Sequence, residues 1–228
     1  MNINITALEE GARRAKGVAV VIDVLRFSST VTTILSKKPK EFICVASPKK
    51  ALAIKDGRKD CVIFGEQGSK LPKGFDFDNS PLAALDAKLS DKTVVICTSN
   101  GARIIEAITK AELVFIGSFL NAQLLANEIV KIKPREVYLI GAGRHGEEAR
   151  EDTLCAEYLR DLLEWGEPDF KSIKSEMLLS QRYIDYEERG LADEFEYCLK
   201  LNSVEFIPMA QKIRDMYYIK DRLEGHIA

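Results

Sequence analysis

Short, uninterrupted apolar runs rich in valine and isoleucine recur along the first two thirds of this 228-residue chain. They stand at 18–23, 41–46, 61–66, 93–99, 113–118 and 136–143. Segments with a helical period lie between them, near 28–36, 48–56, 81–89, 101–110 and 121–132. Runs with so little polar alternation are typical of strands buried on both faces of a sheet. The alternation predicts a three-layer α/β/α fold around a central sheet that is largely parallel or mixed.

The pattern changes near Glu147, where charged and mostly helical sequence begins. One long amphipathic stretch reaches Trp165, and Pro168 interrupts it before helical sequence continues to about Lys200. No Gly/Ser linker, internal repeat or low-complexity tract divides the sequence. We therefore predict one domain over 1–228 with a helix-rich C-terminal portion.

A last apolar piece, VEFIPM at 204–209, predicts one further strand. Pro208 would close that strand, because proline cannot donate to the ladder of a sheet. The sequence near 210–224 predicts a final helix.

Composition and charge exclude several classes of partner. The 33 Lys and Arg against 35 Asp and Glu leave a net charge of −2, so no general positive field attracts nucleic acid or anionic lipid. No apolar run approaches the roughly 18 residues of a membrane span, and the N-terminus lacks the apolar core of a signal peptide. The five cysteines form no CxxC pair, as expected of reduced thiols. We expect a soluble cytoplasmic protein with neither nucleic-acid nor membrane partners.

Carboxylates stand directly after two of the predicted strands. In an open α/β sheet the ligand crevice lies beyond the carboxyl ends of the strands. Asp23 and Glu66 occupy such ends, where an uncompensated carboxylate would cost several kcal/mol. A divalent cation would compensate them, and hard oxygen donors favour Mg²⁺ over zinc. An ion pair between Asp23 and Arg26 is the structural alternative.

Hydroxyl, amide and guanidinium groups cluster at the same strand ends. The turns at 28–30 and 98–103 place Ser, Thr, Asn and Gly beside predicted helix N-termini, close to Arg26 and Arg103. A single such residue is most often a helix cap. Several of them converging with arginines would form a socket for a phosphate or similar anion.

Two short motifs suggest other chemistries. Residues 141–146 fit the GxGxxG pattern of dinucleotide binding, but no second strand ending in an acid follows about 20 residues later. Cys97 and Arg103 have the C-x5-R spacing of cysteine-dependent phosphatases, in which a thiolate attacks phosphorus. Cys97 continues an apolar run, which predicts a buried and inert thiol. The thiolate enzyme stays open as an alternative.

Six motifs in order form a larger pattern. They are IDVLRFSST (22–30), GE (65–66), GFDFDNSP (74–81), TSNGAR (98–103), GSFLNA (117–122) and GAGRHGEEAREDTLCAEYL (141–159). Their succession resembles the 2-phosphosulfolactate phosphatase family of coenzyme M biosynthesis over roughly 18–160, with weaker likeness over 191–209. The resemblance implies a Mg²⁺-dependent phosphatase that acts on the phosphate ester of a small 2-hydroxy acid, with 2-phosphosulfolactate as the expected substrate.

The resulting hypothesis is direct hydrolysis without a covalent enzyme intermediate. Mg²⁺ held by Asp23, Glu66 and Asp152 would polarise the phosphoryl oxygens and activate a bound water. Three further carboxylates are substitutes for these ligands: Asp76, Asp78 and Glu151. A protein that binds a phosphorylated metabolite without turning it over is the alternative from a different functional class.

The remaining polar residues are assigned to the anionic phosphorylated substrate. Arg26, the Ser28, Ser29 and Thr30 turn, and the amides of Asn100 and Gly101 would balance phosphoryl charge. We expect catalytic roles for Asp23, Arg26, Asn100 and Arg103. Further substrate contacts are expected from Asn79, Ser80, Thr98, Ser99, Ser118, Asn121, Arg144 and His145. A homodimer is left open as the assembly.

Overall fold

The computed structural model describes residues 1–68, 70–164, 166 and 168–225. In chain order its strands and helices are β1 (Asn2–Ala7), α1 (Leu8–Arg14), β2 (Lys16–Ile22), α2 (Phe27–Ser36), β3 (Glu41–Val45), α3 (Pro48–Asp56), β4 (Cys61–Gly65), α4 (Pro81–Asp86), β5 (Thr93–Cys97), α5 (Gly101–Ala107), β6 (Lys110–Gly117), α6 (Ala122–Ile132), β7 (Glu136–Gly141), α7 (Arg150–Glu164), α8 (Phe170–Leu178), α9 (Gln181–Glu188), α10 (Ala192–Cys198), β8 (Pro208–Ile213) and β9 (Met216–Asp221). Short 3₁₀ turns cover Phe119–Asn121 and Arg222–Gly225.

The nine strands of the described residues form one sheet in the order β1-β7-β2-β6-β8-β9-β3-β5-β4. Two groups within it are parallel, β1-β7-β2-β6 and β3-β5-β4. The β8–β9 hairpin joins them through antiparallel pairs, with Met209 opposite Phe115 and Tyr217 opposite Cys44. The two parallel groups therefore run in opposite directions, which makes the sheet mixed.

Helices cover both faces of this sheet. Along β2 and β6, Val21 and Ile116 pack against α1, α2 and α5, whereas Val20 and Phe115 point to the opposite face under α6 and α7. Helix α3 covers that second face over β3, β4 and β5. Strands buried on both sides have no polar face, which explains their continuous apolar sequence. The predicted three-layer α/β/α fold is confirmed.

The sheet curves around α2 and α5. Helix α5 contacts both β2 and β3, although four inter-strand steps separate these strands. Four steps span roughly 19 Å in a flat sheet at about 4.8 Å each. A helix about 10 Å wide reaches both strands only if the sheet bends toward it. The ends of β2 and β4 thereby converge even though the two strands run in opposite directions. Asp23 and Glu66, which follow these two strands, thereby line one cavity although their strands do not end at the same edge of the sheet.

The C-terminal region differs from two of the sequence predictions. The final helix expected near 210–224 is wrong, because β8 and β9 form a hairpin there. Tyr217 and Ile219 are buried while their neighbours are less so, a period of two that suits a strand. Pro208 opens β8 rather than closing the strand predicted at 204–209, a position where its missing N–H costs no ladder bond.

One further strand and one boundary also differ from the sequence predictions. Strand β1 was not predicted, since its half-buried edge position leaves a weakly apolar sequence. Helix α5 ends at Ala107, and β6 already begins at Lys110, inside the helix predicted to 110. The amphipathic stretch expected to reach Trp165 forms α7, which ends at Glu164, and Trp165 itself lies outside the described residues. No helix within the described ranges is long and apolar enough to cross a membrane.

Candidate active site

The turn between β2 and α2 presents Asp23. The Asp23 backbone N–H donates to the Ser28 Oγ at 2.9 Å, and the Ser28 N–H donates to the Asp23 carbonyl at 2.8 Å. The Ser29 Oγ donates to the Val24 carbonyl at 2.9 Å. Ser28, Ser29 and Thr30 are completely buried. The hydroxyl groups of the two serines stabilise the turn from its protein side through these hydrogen bonds. The turn holds the Asp23 side chain at the start of α2, where the Phe27 N–H donates to its Oδ1 at 3.3 Å.

Asp152 joins this turn from the first turn of α7. Its Oδ1 accepts the Val24 N–H at 2.9 Å, and its Oδ2 accepts the Gly143 N–H at 3.0 Å. One buried carboxylate thus ties the chain after β2 to the chain after β7. This arrangement brings Asp23 and Asp152 into one site.

Glu66 and the turn after β5 close the site on another side. The Glu66 Oε1 accepts the Ser99 N–H at 2.7 Å. The neighbouring Gly101 N–H lies near enough to Asp23 to lower the pKa of that carboxyl group. The turn from Ser99 to Gly101 therefore links the carboxylates that follow β4 and β2.

A small cavity of about 50 Å³, partly open to solvent, lies above these groups. It combines an acidic set of side chains with arginines from several elements. Its lining residues are Asp23, Leu25, Arg26, Glu66, Asn79, Asn100, Gly143, Arg144, Ala149, Glu151, Asp152, Arg182, Tyr186 and Arg189. The predicted residues Asp23, Arg26, Glu66, Asn79, Asn100, Arg144 and Asp152 therefore share one cavity.

The acidic residues perturb one another. Burial raises the pKa of Asp23 to about 7, and the charges of Glu66 and Glu151 also raise it, while the Phe27 N–H lowers it. Burial likewise raises the pKa of Asp152 well above its usual range, with the charges of Asp23 and Glu151 adding to the effect. Without a cation, both carboxyl groups favour their protonated forms below neutral pH.

The oxygen donors at this site are of the chemical type that binds Mg²⁺. Across residues 1–68, 70–164, 166 and 168–225, no three His, Cys, Asp or Glu side chains are close enough to hold a metal ion as they stand. Mg²⁺ in phosphoryl-transfer sites is usually bound by one or two carboxylates, with water and substrate phosphate completing its shell. Asp23 and Asp152 match that smaller requirement, because burial and like charge make a cation favourable beside them.

Arg26 bonds to carboxylates other than Asp23. It donates to the Asp78 Oδ2 at 2.7 Å and to Glu194 of α10. Glu194 also accepts the hydroxyl of Ser80. Arg26 therefore does not form the ion pair with Asp23 that the sequence suggested as an alternative. It belongs instead to a network that connects the β2–α2 turn with α4 and α10.

Four of the predicted substrate contacts have structural partners. Ser118 and Asn121 form a capping box, and the Asn121 Nδ2 donates to the carbonyls of Ile116 and Phe206. The Thr98 Oγ1 accepts the Ala102 N–H at 3.2 Å. Ser80 caps α4 by accepting the Ala83 N–H at 3.0 Å. These hydroxyl and amide groups hold the turns around the cavity.

Three other predicted residues do not line the cavity. Arg103 and Ser99 line a neighbouring cleft, which meets the cavity at Asn100. His145 is exposed in the turn after β7. That turn closes through hydrogen bonds between Arg144 and Glu147, and α7 begins only at Arg150, so the GxGxxG stretch does not open a helix.

Two of the substitute metal ligands are committed elsewhere. Asp76 accepts Lys55 at 2.6 Å and the Ile63 N–H at 2.8 Å. Asp78 pairs with Arg26. Glu151 lines the cavity and is the substitute that the fold brings to Asp23.

Cys97 does not have the properties of a nucleophile. Its side chain packs in the apolar cluster between β3, β4, β5 and α3. Burial raises the pKa of its thiol to about 12, and the charges of Glu66 and Glu106 raise it as well. A thiol of this kind stays protonated near neutral pH, which argues against the cysteine-dependent alternative.

The C-terminal helices supply residues that sequence reasoning missed. Arg182, Tyr186 and Arg189 line the cavity from α9 and its end, and Glu194 of α10 pairs with Arg26. Arg182, Tyr186 and Arg189 are spaced i, i+4 and i+7, which places them on one helix face. This spacing is the only sign of the three residues in the sequence. It does not indicate a site, because charged residues at helical spacing usually form the solvent-exposed face of a helix.

Comparisons with known proteins identify a family for this chain. A model of the 2-phosphosulpholactate phosphatase family matches residues 4–212. A relative from Clostridium acetobutylicum is 32% identical over 207 residues, covering 83% of this chain and 88% of the relative. One from Clostridium novyi is 31% identical over 205 residues, covering 83% and 87%. One from Symbiobacterium thermophilum is 27% identical over 226 residues, covering 91% and 95%.

All three relatives carry the name "Probable 2-phosphosulfolactate phosphatase". The match extends well beyond the motifs at 22–159, into the region that forms α8 to α10 and β8. The resemblance inferred from those motifs is therefore confirmed. Because its model covers most of the sequence, this chain belongs to the 2-phosphosulfolactate phosphatase family.

Proposed function

We propose that this chain hydrolyses 2-phosphosulfolactate, the phosphate ester of a small 2-hydroxy acid, to sulfolactate and phosphate. Family membership indicates a phosphoric monoester hydrolase, and the names of the relatives supply the substrate. The observation that carries the proposal is the meeting of buried carboxylates and arginines in one small cavity. Such a cavity suits a metal-assisted reaction on a small anionic ester.

Asp23 and Asp152, together with Glu66 or Glu151, are the residues that would hold a Mg²⁺ ion. Both aspartates accept hydrogen bonds from backbone N–H groups, which fix their carboxylates at the wall of the cavity. When bound, Mg²⁺ supplies polarisation of the phosphoryl oxygens and lowers the pKa of a bound water.

The chain's own residues orient the reaction. Asn79 is 5% exposed, and its Oδ1 has no hydrogen-bond partner among the described residues although it faces a cavity. An acceptor in that position can orient the attacking water by taking one of its hydrogen bonds. Arg144 and Asn100 would offset charge on the phosphoryl oxygens.

Arg26 acts as a positioning residue in this proposal. Its guanidinium group is bonded to Asp78 and Glu194, so it fixes the β2–α2 turn against the surrounding loops. In hydrolysis the water oxygen forms a bond to phosphorus as the bond from phosphorus to the ester oxygen breaks. The water gives up one proton, and the leaving alkoxide takes up one. No covalent enzyme intermediate is needed.

Two finer features accompany the proposal. We propose that hydrolysis depends on Mg²⁺ and that the product enters coenzyme M biosynthesis, on the strength of the family resemblance. The cytoplasmic location, the single domain over 1–228 and a homodimer stay predictions from the sequence.

Phosphate release from 2-phosphosulfolactate, 2-phospholactate and phosphoglycolate tests the proposed activity. We expect turnover of 2-phosphosulfolactate that stops with a chelator and returns with Mg²⁺. Asp23→Asn should abolish turnover, whereas Asp76→Asn, which removes an aspartate paired with Lys55, should retain it. Full activity in chelator would overturn the magnesium proposal. Binding of these esters without any phosphate release would establish the alternative, a protein that binds a phosphorylated metabolite without turnover.

A further inference from the structure

We propose that Arg182 and Arg189 bind the acid group, a sulfonate or carboxylate, that distinguishes the substrate from a simple phosphate monoester. This inference rests on the proposed function, because it assigns part of the same cavity to the rest of the substrate. It adds specificity-determining residues on α9, a helix that contributes none of the acidic residues at the strand ends.

The two arginines are held by one aromatic ring. The Arg182 guanidinium carbon lies 4.7 Å from the centre of the Tyr186 ring, and that of Arg189 lies 5.9 Å from it. Tyr186 is buried beneath them, with 2% of its surface exposed. A guanidinium over an aromatic face within about 6 Å is attracted to it. The ring therefore restricts both cations to the wall of the cavity.

Arg182 has an unused hydrogen-bond donor. Its Nε is buried and has no acceptor among the described residues. The nearest recorded carboxylate oxygen is the Glu151 Oε1, at 3.7 Å, which is within ion-pair range but too far for a hydrogen bond. Buried donors without an acceptor are rare in folded proteins. The fork of an arginine matches the oxygens of a carboxylate or sulfonate, which would complete its bonding.

Charge balance favours the same assignment. Asp23, Glu66, Glu151 and Asp152 place four carboxyl groups on one side of the cavity, and none of them can pair with the two further acid groups of the substrate. Arg26 is already bonded to two carboxylates. Arg182 and Arg189 therefore supply cations that the acid groups of the substrate need.

A substrate series isolates this role. We would measure KM and kcat for 2-phosphosulfolactate, for 2-phospholactate, which lacks the sulfonate, and for isopropyl phosphate, which lacks both acid groups. For Arg182→Gln and Arg189→Gln we expect KM for 2-phosphosulfolactate to rise roughly 10- to 100-fold. The kcat/KM for isopropyl phosphate should change by less than about threefold, since no acid group is present to be lost.

Two further variants control for folding and charge. Arg58→Gln removes an arginine paired with Glu41 away from the cavity, and we expect it to leave both substrates unaffected. Arg182→Lys keeps the charge but loses the planar fork, so its KM for 2-phosphosulfolactate should fall between those of the wild type and Arg182→Gln. Equal losses on isopropyl phosphate, or no loss on 2-phosphosulfolactate, would overturn the assignment.

Product binding separates this inference from the proposed function. Calorimetric titration with sulfolactate, and with inorganic phosphate as the comparison, needs no turnover. We expect Arg182→Gln and Arg189→Gln to weaken sulfolactate binding roughly 10- to 100-fold while phosphate binding stays unchanged. If the wild type releases no phosphate from any ester yet binds sulfolactate through these arginines, the proposed function fails and the inference stands. Sulfolactate binding that both variants retain would refute the inference.

Discussion

Asp152 and Val24 join two distant parts of the chain, since the Asp152 Oδ1 accepts the Val24 N–H at 2.9 Å. The second oxygen of the same carboxylate accepts the Gly143 N–H at 3.0 Å. The backbone after β2 and the backbone after β7 thus share one buried carboxyl group. This relationship sets the position of Asp23 beside the cavity, and it makes the acidic site part of the folded framework.

Asp152→Ala should destabilise the protein strongly. It leaves the Val24 and Gly143 N–H groups buried without an acceptor, at about 1–3 kcal/mol each. We expect the free energy of unfolding in urea to fall by about 2–4 kcal/mol. Asp161→Ala, which removes a partly exposed aspartate paired with Arg160 on the same helix, should cost less than about 1 kcal/mol. Comparable losses in the two variants would show that Asp152 does not tie the strand ends together.

The stability of the metal-free protein should depend on the protonation of Asp23. Burial raises the pKa of Asp23 from 3.8 to about 7, so the folded state keeps a proton that the unfolded state loses. Stability from this group is fully present below about pH 4 and is lost as the pH rises to about 7. At about 1.4 kcal/mol per unit, the effect is up to about 4 kcal/mol.

Urea unfolding at a series of pH values, in wild type and Asp23→Asn, measures this effect. The difference between the two proteins should change between pH 4 and 7, because the amide does not titrate. It should level off above pH 7. A difference that is constant over that range would mean that Asp23 has an ordinary pKa in the folded state.

The buried pair of Arg26 and Glu194 should be strongly coupled. Their side chains are 7% and 8% exposed, and removing one partner leaves a buried charge, a loss of about 3–5 kcal/mol. A double-mutant cycle with Arg26→Met and Glu194→Leu should give a coupling energy above about 1 kcal/mol. The exposed Arg13–Glu9 pair, of the same chemical type, should give less than about 1 kcal/mol. Equal coupling in the two pairs would contradict the buried network.

Cys97→Ser should retain phosphatase activity. The burial that raises the pKa of this thiol to about 12 leaves it protonated at neutral pH, and its side chain packs in an apolar cluster. We expect kcat to stay within about threefold of the wild type and iodoacetamide to inactivate the enzyme slowly, if at all. Loss of activity in a folded Cys97→Ser protein would restore the thiolate mechanism.

Much of the fold could be predicted from local sequence. The six apolar runs all form strands, because a strand buried on both faces must be apolar throughout. Asp23 and Glu66 could be singled out because a carboxylate that follows such a strand needs compensation. The β8–β9 hairpin was mistaken for a helix, since its amphipathic sequence leaves both periods open until the pairing partners are known.

The partners of the site residues required the tertiary structure. Arg26 was expected to bind phosphate or to pair with Asp23, but it forms ion pairs with Asp78 and Glu194. Ser28 and Ser29 were expected at the substrate, yet they bond to the backbone beneath the turn. A sequence pattern identifies a polar group but does not show which of many possible partners lies within 3 Å of it.

The amino-acid sequence by itself determined the layers of this protein, its family and the acidic residues of its site, because these depend on local patterns of apolar and polar residues. Only the tertiary structure decided that the sheet curves, that β2 and β4 converge from opposite directions, and that α9 brings Arg182 and Arg189 to the cavity. Curvature and helix docking arise from the packing of distant segments, which no local pattern records.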